Sequence, residues 1–180
     1  MADLIAALEK ALGQIQEGWT VPLEGHDHML QVVRYASPSL TAYSTLGLSH
    51  FALRSPSGHR RFRLELLMCF CEQPASHWPA SALQDLASEM IDRDFAVLRG
   101  DCIGPRGPLR PGSRFEALYC TSPIFLDEAD HSMVDEAGRD VALVWVLPVT
   151  SEEAGLRRDA GWEVLEDRLE ADFNGLFSRA

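Results

Sequence analysis

Residues 99–126 read RGDCIGPRGPLRPGSRFEALYCTSPIFL, and two kinds of chain meet inside them. From Arg99 to Arg114 there are four Gly, three Pro and four Arg. Proline removes backbone donors and fixes φ, while glycine admits positive φ, so neither a helix nor a central strand runs through this half. From Phe115 the pattern changes. Phe115, Ala117 and Tyr119 alternate with Glu116, Leu118 and Cys120, the period-two signature of a strand. The stretch reads as a long, stiff, arginine-bearing loop feeding a strand. Loops of this length inside a compact domain are functional or disordered; anchored on both sides and stiffened by proline, this one reads as ordered and functional.

Upstream, Phe95–Leu98 reads as a short strand. Before it, Leu83, Leu86, Ala87, Met90 and Ile91 form the apolar stripe of a helix opened by Pro79 or by a capping box of Ser81 and Gln84. Arg60–Glu72 reads as a strand with Phe62, Leu64, Leu66, Met68 and Phe70 on one face. Its other face passes from Arg61, Arg63 and Glu65 to Leu67, Cys69 and Cys71, so only its second half is buried on both sides. Met29–Tyr35 and Thr41–Leu48 are strands about the turn Ser37-Pro38-Ser39. Residues 3–17 carry Leu4, Ile5, Leu8, Leu12 and Ile15 at helical spacing, with Gly18 as a stop and an irregular Trp19–His28 after it.

Downstream, Ile124–Leu126 reads as a further strand piece and the acidic Asp127–Asp140 as a solvated connection. Val141–Leu147, VALVWVL, reads as a strand covered on both faces. Thr150 and Glu153 form a capping box for a helix that Gly161 ends, and Trp162, Leu165 and Leu169 mark another. This order predicts an α/β (α+β) chain: a single domain whose mixed β-sheet is flanked by helices. The expected organisation is a lead-in over 1–27, a domain over 28–172 and a polar tail over 173–180.

The chain of 180 residues has a net charge of −11 and arginine as nearly its entire basic content, Lys10 being the single lysine. Such a surface repels phosphate backbones and anionic lipid, which argues against nucleic-acid and membrane partners and suits a basic protein partner. Residues 1–17 lack an uninterrupted apolar signal region, and the four cysteines read as reduced thiols; a cytoplasmic location is expected.

Arg99, Arg106, Arg110 and Arg114 suggest a phosphate cradle, but neither phosphate-loop pattern is present, so ion pairs with this acidic chain are the better reading. Cys102 and Cys120 with His50, His77 or His131 offer nucleophile pairs without a diagnostic motif. His26-Asp27-His28 reads as a polar turn, and Cys69 with Cys71 as buried apolar groups. No catalytic residue, metal or cofactor is assigned.

In order, Leu46-Gly47-Leu48-Ser49, Pro56-Ser57-Gly58, the strand Phe62–Phe70, Trp78-Pro79, Gly100-Asp101, Pro108-Leu109 and Phe115–Cys120 resemble the Suppressor of fused domain over roughly residues 28–172. The resemblance implies a non-enzymatic protein-binding module. In animals such proteins grip a transcription-factor peptide that adds as a strand; bacterial stand-alone forms are implicated as immunity proteins that neutralise polymorphic toxins. The family's partner-gripping aspartate falls on Asp101, and its helix tyrosine on Glu89, a departure that shifts the site toward negative charge. Arg99 and Arg106 of the neighbouring loop complete the expected partner-binding set. The alternative is a small hydrolase or nucleotide-handling enzyme that uses the arginine loop.

Overall fold

The computed structural model describes residues 2–23, 25, 28–74, 76–128, 131–135 and 137–179. In chain order the elements are α1 (Ala2–Leu12), β1 (Gln14–Val21), β2 (Leu30–Ala36), β3 (Thr41–Leu46), a 3-10 turn (Leu48–His50), β4 (Leu53–Arg54), β5 (Arg61–Phe62) and β6 (Leu64–Phe70). Then follow α2 (Trp78–Asp92), β7 (Cys102–Ile103), β8 (Phe115–Thr121), β9 (Ser132–Val134), β10 (Asp140–Thr150), α3 (Ser151–Ala160), α4 (Trp162–Glu170) and α5 (Phe173–Leu176).

One sheet organises the molecule, in the order β1-β2-β3-β6-β10-β8-β7, with β9 also on β10. Every pairing is antiparallel except β6 with β10, where Ala142–Trp145 run parallel to Leu64–Leu67. A parallel pair needs a long crossover, and everything from α2 to β9 supplies it. The mixed sheet flanked by helices is the architecture read from the sequence.

The run VALVWVL sits in the middle of that sheet because both its faces are covered. Val144 and Val146 join α2's Leu83, Leu86, Ala87 and Met90 with Leu64, Leu66, Met68 and Phe70 on one side. On the other side Leu143 meets α1 through Leu4, Leu8 and Leu12, and Trp145, Leu147 and Val149 meet α3 and α4 through Ala154, Leu165 and Leu169. The alternation of β6 is kept too: Leu67 and Cys69 face α1.

Several boundaries differ from the sequence reading, each for a local reason. The first helix stops at Leu12, not at Gly18, because Gly13 takes φ 97° and lies so close to Ala36 that a Cβ would meet its carbonyl oxygen at 2.6 Å. Ile15, which continued the helical spacing, instead belongs to β1, which takes over the end of the segment read as helix and the first three residues of the one read as irregular. Helix α2 begins at Trp78 with Pro79 in its first turn, so the Ser81 box is not its start. Residues 95–98 do not form a strand, although Ala96 N–H donates to Arg54 O at 2.7 Å. Residues 124–126 form turns, and the acidic connection holds β9. The Thr150–Glu153 capping box forms as read.

Glu65 departs most. Placed by alternation on the polar half of its strand, it is fully buried and accepts hydrogen bonds from Thr45 Oγ1 (2.6 Å), Gly47 N–H (3.0 Å) and Ser49 N–H (3.1 Å). The chain end is likewise less polar in role than in composition. Leu176 is buried, and Arg179, also buried, donates to Glu153 and to Pro148 O.

Candidate functional site

The arginine loop is built from a turn outward. Asp101 Oδ2 accepts from Leu98 N–H at 2.8 Å, and Asp101 N–H donates to Leu98 O at 3.0 Å, closing residues 98–101 from both ends. Gly100, at φ 91°, packs against the Trp162 ring, where a Cβ would stand 3.0 Å from it. Arg157 Nε donates to Gly100 O at 2.7 Å. Arg99 lies over Trp162, 4.8 Å from the ring centre, and binds Glu166 through Nε and a terminal nitrogen. Glu166 also accepts from Tyr119 Oη at 2.9 Å and Thr121 Oγ1 at 2.6 Å. Burial pushes its carboxyl up, but the bonds from Arg99, Thr121 and Tyr119 outweigh it and leave the group below its ordinary range.

Beyond the turn, β7 pairs with β8 as Cys102 opposite Tyr119 and Ile103 opposite Leu118. Cys120 N–H donates to Asp101 O at 2.8 Å. Bonded pairs alternate along an antiparallel ladder, so Ile103 turns its polar groups to β8 and Cys102 turns its N–H and C=O away. Among the described residues no strand covers that outer side. β7 is a free sheet edge.

Two clefts flank it, and Ile103 lines both. The larger, about 470 Å³, runs between α2 and the loop; its apolar lining includes Trp78, Leu86, Leu109 and Leu118. Arg106 spans it, placing both terminal nitrogens on the Glu89 carboxylate at 2.8 and 3.0 Å. Hydrogen bonds from Arg106 and then Arg93 hold the Glu89 carboxyl down at about 2. The smaller cleft, about 340 Å³, is lined by Phe95, Val97, Asp101, Cys102 and Arg157.

Of the four residues expected to grip a partner, Glu89 and Arg106 are therefore brought together, Asp101 faces the second cleft, and Arg99 is turned toward α4. Arg157, Trp162, Asp85 and Trp78 join the site without having been assigned to it. Trp162 carried a signal as the first apolar position of the helix after Gly161; nothing in the spacing of Arg157 or Asp85 marks either as part of a site.

The nucleophile pairs fare differently. Cys120 is fully buried and Cys102 half-buried, and burial raises both thiols, so neither is a ready thiolate at neutral pH. His50 stacks on His28, with ring centres 4.6 Å apart; His26 and Asp27 lie outside the described residues. Among the described residues no three His, Cys, Asp or Glu gather as metal ligands, and no helix is long and apolar enough to cross a membrane.

The model of the Suppressor of fused protein (SUFU) family matches residues 26–178. The chain belongs to the Suppressor of fused family. Its fold matches a solved SUFU homologue from Neisseria gonorrhoeae with a TM-score of 0.71, at 17% identity, over 94% of this chain and 88% of that one. A structure of the Sufu–Fu complex matches at 0.70 and 17% identity, over 94% and 83%. Drosophila Suppressor of fused matches at 0.74 and 17% identity, covering 95% of this chain but 46% of the fly protein, so the chain spans about half that relative's length. No curated protein sequence matches. Suppressor of fused is a binding domain, and one solved relative is held in a complex with a protein partner.

Proposed function

We propose that this Suppressor of fused domain holds an extended segment of a protein partner as an added strand along β7, and that it serves as an immunity protein whose partner is a toxin. The observation that carries the reading is the free edge of β7 between two clefts. In strand addition the backbone bonds supply affinity, and side chains alternating to either side enter pockets that supply selectivity. The sheet's other end suits this role less: β1 carries a bulge between Ile15 and Glu17 and a charge at Glu17, devices that discourage strand addition. In this reading Asp101 and Arg99 stiffen the turn that delivers β7, while Glu89 and Arg106 form the wall of the larger cleft. The net charge of −11 favours a basic partner.

The test is Cys102→Pro, which removes the outward N–H of the edge while leaving the bonds from Ile103 to β8. Its partner for pull-down and titration is the product of the adjacent gene. The expected result is a folded protein, by circular dichroism, that loses the partner, and Asp101→Arg should weaken binding by repelling a basic segment. A folded Cys102→Pro variant that binds as tightly as the unaltered protein would overturn the proposal.

A further inference from the structure

The larger cleft has its own chemistry, and its charges are unevenly satisfied. Helix α2 presents Ser81, Ala82, Asp85 and Glu89 along one stripe to it, and β8 contributes Glu116 from the opposite side. Glu89 is consumed by Arg93 and Arg106. Among the described residues the Glu116 carboxylate accepts only the Ser151 hydroxyl, and the exposed Asp85 carboxylate has no bonding partner. Trp78 lines the same cleft, and its Nε1–H is shielded from solvent without an acceptor. A buried indole N–H ordinarily finds one.

From this arrangement we infer that the cleft selects an extended peptide bearing cationic side chains beside an apolar one, with Asp85 and Glu116 facing the cations and the Trp78 ring beside the apolar side chain. The inference rests on strand addition at β7 and names the class of segment added there. It moves the charge selectivity away from Glu89: a carboxylate already holding two guanidinium groups offers little to a third cation, whereas neither Asp85 nor Glu116 is paired with a cation among the described residues. The apolar side chain enters between Trp78, Leu86 and Leu118, where it displaces water from an apolar wall.

The experiment uses three blocked heptapeptides, Ac-Ser-Xaa-Val-Leu-Val-Xaa-Ser-amide with Xaa as Lys, Glu or Ser, titrated into the isotopically labelled protein. Nuclear magnetic resonance follows the backbone amides of Cys102 and Ile103 and the Trp78 indole N–H, assigned with Trp78→Phe. The Lys peptide is expected to bind at least about tenfold more tightly than the Glu peptide at low salt, to lose much of that advantage at high salt, and to shift the Trp78 indole signal. Combined Asp85→Asn and Glu116→Gln should bring the two peptides to equal affinity. If all three peptides shift Ile103 and Trp78 but bind alike, the charge selectivity is overturned and strand addition stands. If the Lys preference survives the double substitution, the assignment to Asp85 and Glu116 is overturned. If none of them moves the β7 amides, the strand-addition reading falls as well.

Discussion

Two buried carboxylates sit on the same face of the sheet, and they are neutralised in opposite ways. Glu65, on the α1 side, meets no cation among the described residues; a hydroxyl and two backbone amides bond to it, and burial raises its carboxyl above the ordinary range despite them. Glu166, on the α4 side, meets Arg99, Tyr119 and Thr121, and its carboxyl is lowered. The difference follows what each holds. Glu65 pins the turn after β3 to its neighbour β6 within a closed part of the sheet. Glu166 ties the start of the arginine loop to α4 through Arg99, and so fixes the turn from which the free edge β7 emerges. Dipoles suffice to hold a tight turn; a charged, long-armed arginine is needed to reach from a loop to a helix.

That contrast sets the largest expected effect. Glu65→Ala leaves Gly47 N–H, Ser49 N–H and the Thr45 hydroxyl without their acceptor where the Glu65 side chain is fully buried. At about 1–3 kcal/mol for each orphaned donor, less relaxation, the loss should be about 3–5 kcal/mol. Urea denaturation measures it, and a loss below about 1 kcal/mol would mean that the turn finds other partners. Glu166→Ala should cost less, about 2–4 kcal/mol, because Arg99 is half exposed and can turn to solvent while Tyr119 and Thr121 are stranded. Equal losses in the two variants would erase the distinction drawn between them.

The same pair makes a pH prediction with two signs. The unfolded chain ionises its glutamates near the ordinary value of about 4.3. For Glu65, raised in the fold, the folded state keeps its proton longer; its contribution is greatest at low pH and declines as pH rises from that value to the folded one. For Glu166, lowered in the fold, the contribution is present above the ordinary value and declines as pH falls toward the folded one. Urea midpoints measured across roughly pH 3–8 for the unaltered protein, Glu65→Gln and Glu166→Gln separate the two. The stability difference from Glu65→Gln should shrink with rising pH, and that from Glu166→Gln with falling pH. Parallel profiles would contradict the opposed shifts.

What the sequence disclosed follows the same division between short-range and long-range causes. Periodicity exposed α2, β6, β8 and β10 because each buries a face that its own spacing records. It missed β1 because Ile15 prolongs the helical spacing of Leu8 and Leu12, and the close approach of Gly13 to Ala36 is invisible from either residue alone. Glu65 was misread because its acceptor role depends on Gly47 and Ser49, sixteen or more positions away. In the site, Glu89 and Arg106 were both singled out, yet nothing in their spacing said they would bind each other. The free edge β7 was hidden among glycines and prolines, and that Asp85 finds no partner among the described residues is a property of three dimensions only.

The smallest expected effect on stability belongs to the strap across the larger cleft. Arg106 and Glu89 form a two-pronged pair, as Arg99 and Glu166 do, but the Arg106 side chain is 64% exposed and the pair faces water. Exposed pairs contribute about 0–1 kcal/mol, so Arg106→Ala should shift the urea midpoint little. Its effect should appear instead in the titration of Glu89. Arg106 is the first cause of that carboxyl's descent to about 2 and Arg93 the second, so removing Arg106 should raise it more than removing Arg93 does. Carbon-detected titration of the Glu89 carboxyl in Arg106→Ala and Arg93→Ala reads this ordering directly. If Arg93→Ala produces the larger rise, Glu89 is held chiefly along its own helix and the loop is not strapped to α2. If both leave the carboxyl near 2, the helix and loop charges are not what hold it, and the contrast between an exposed strap and a buried anchor loses its exposed half.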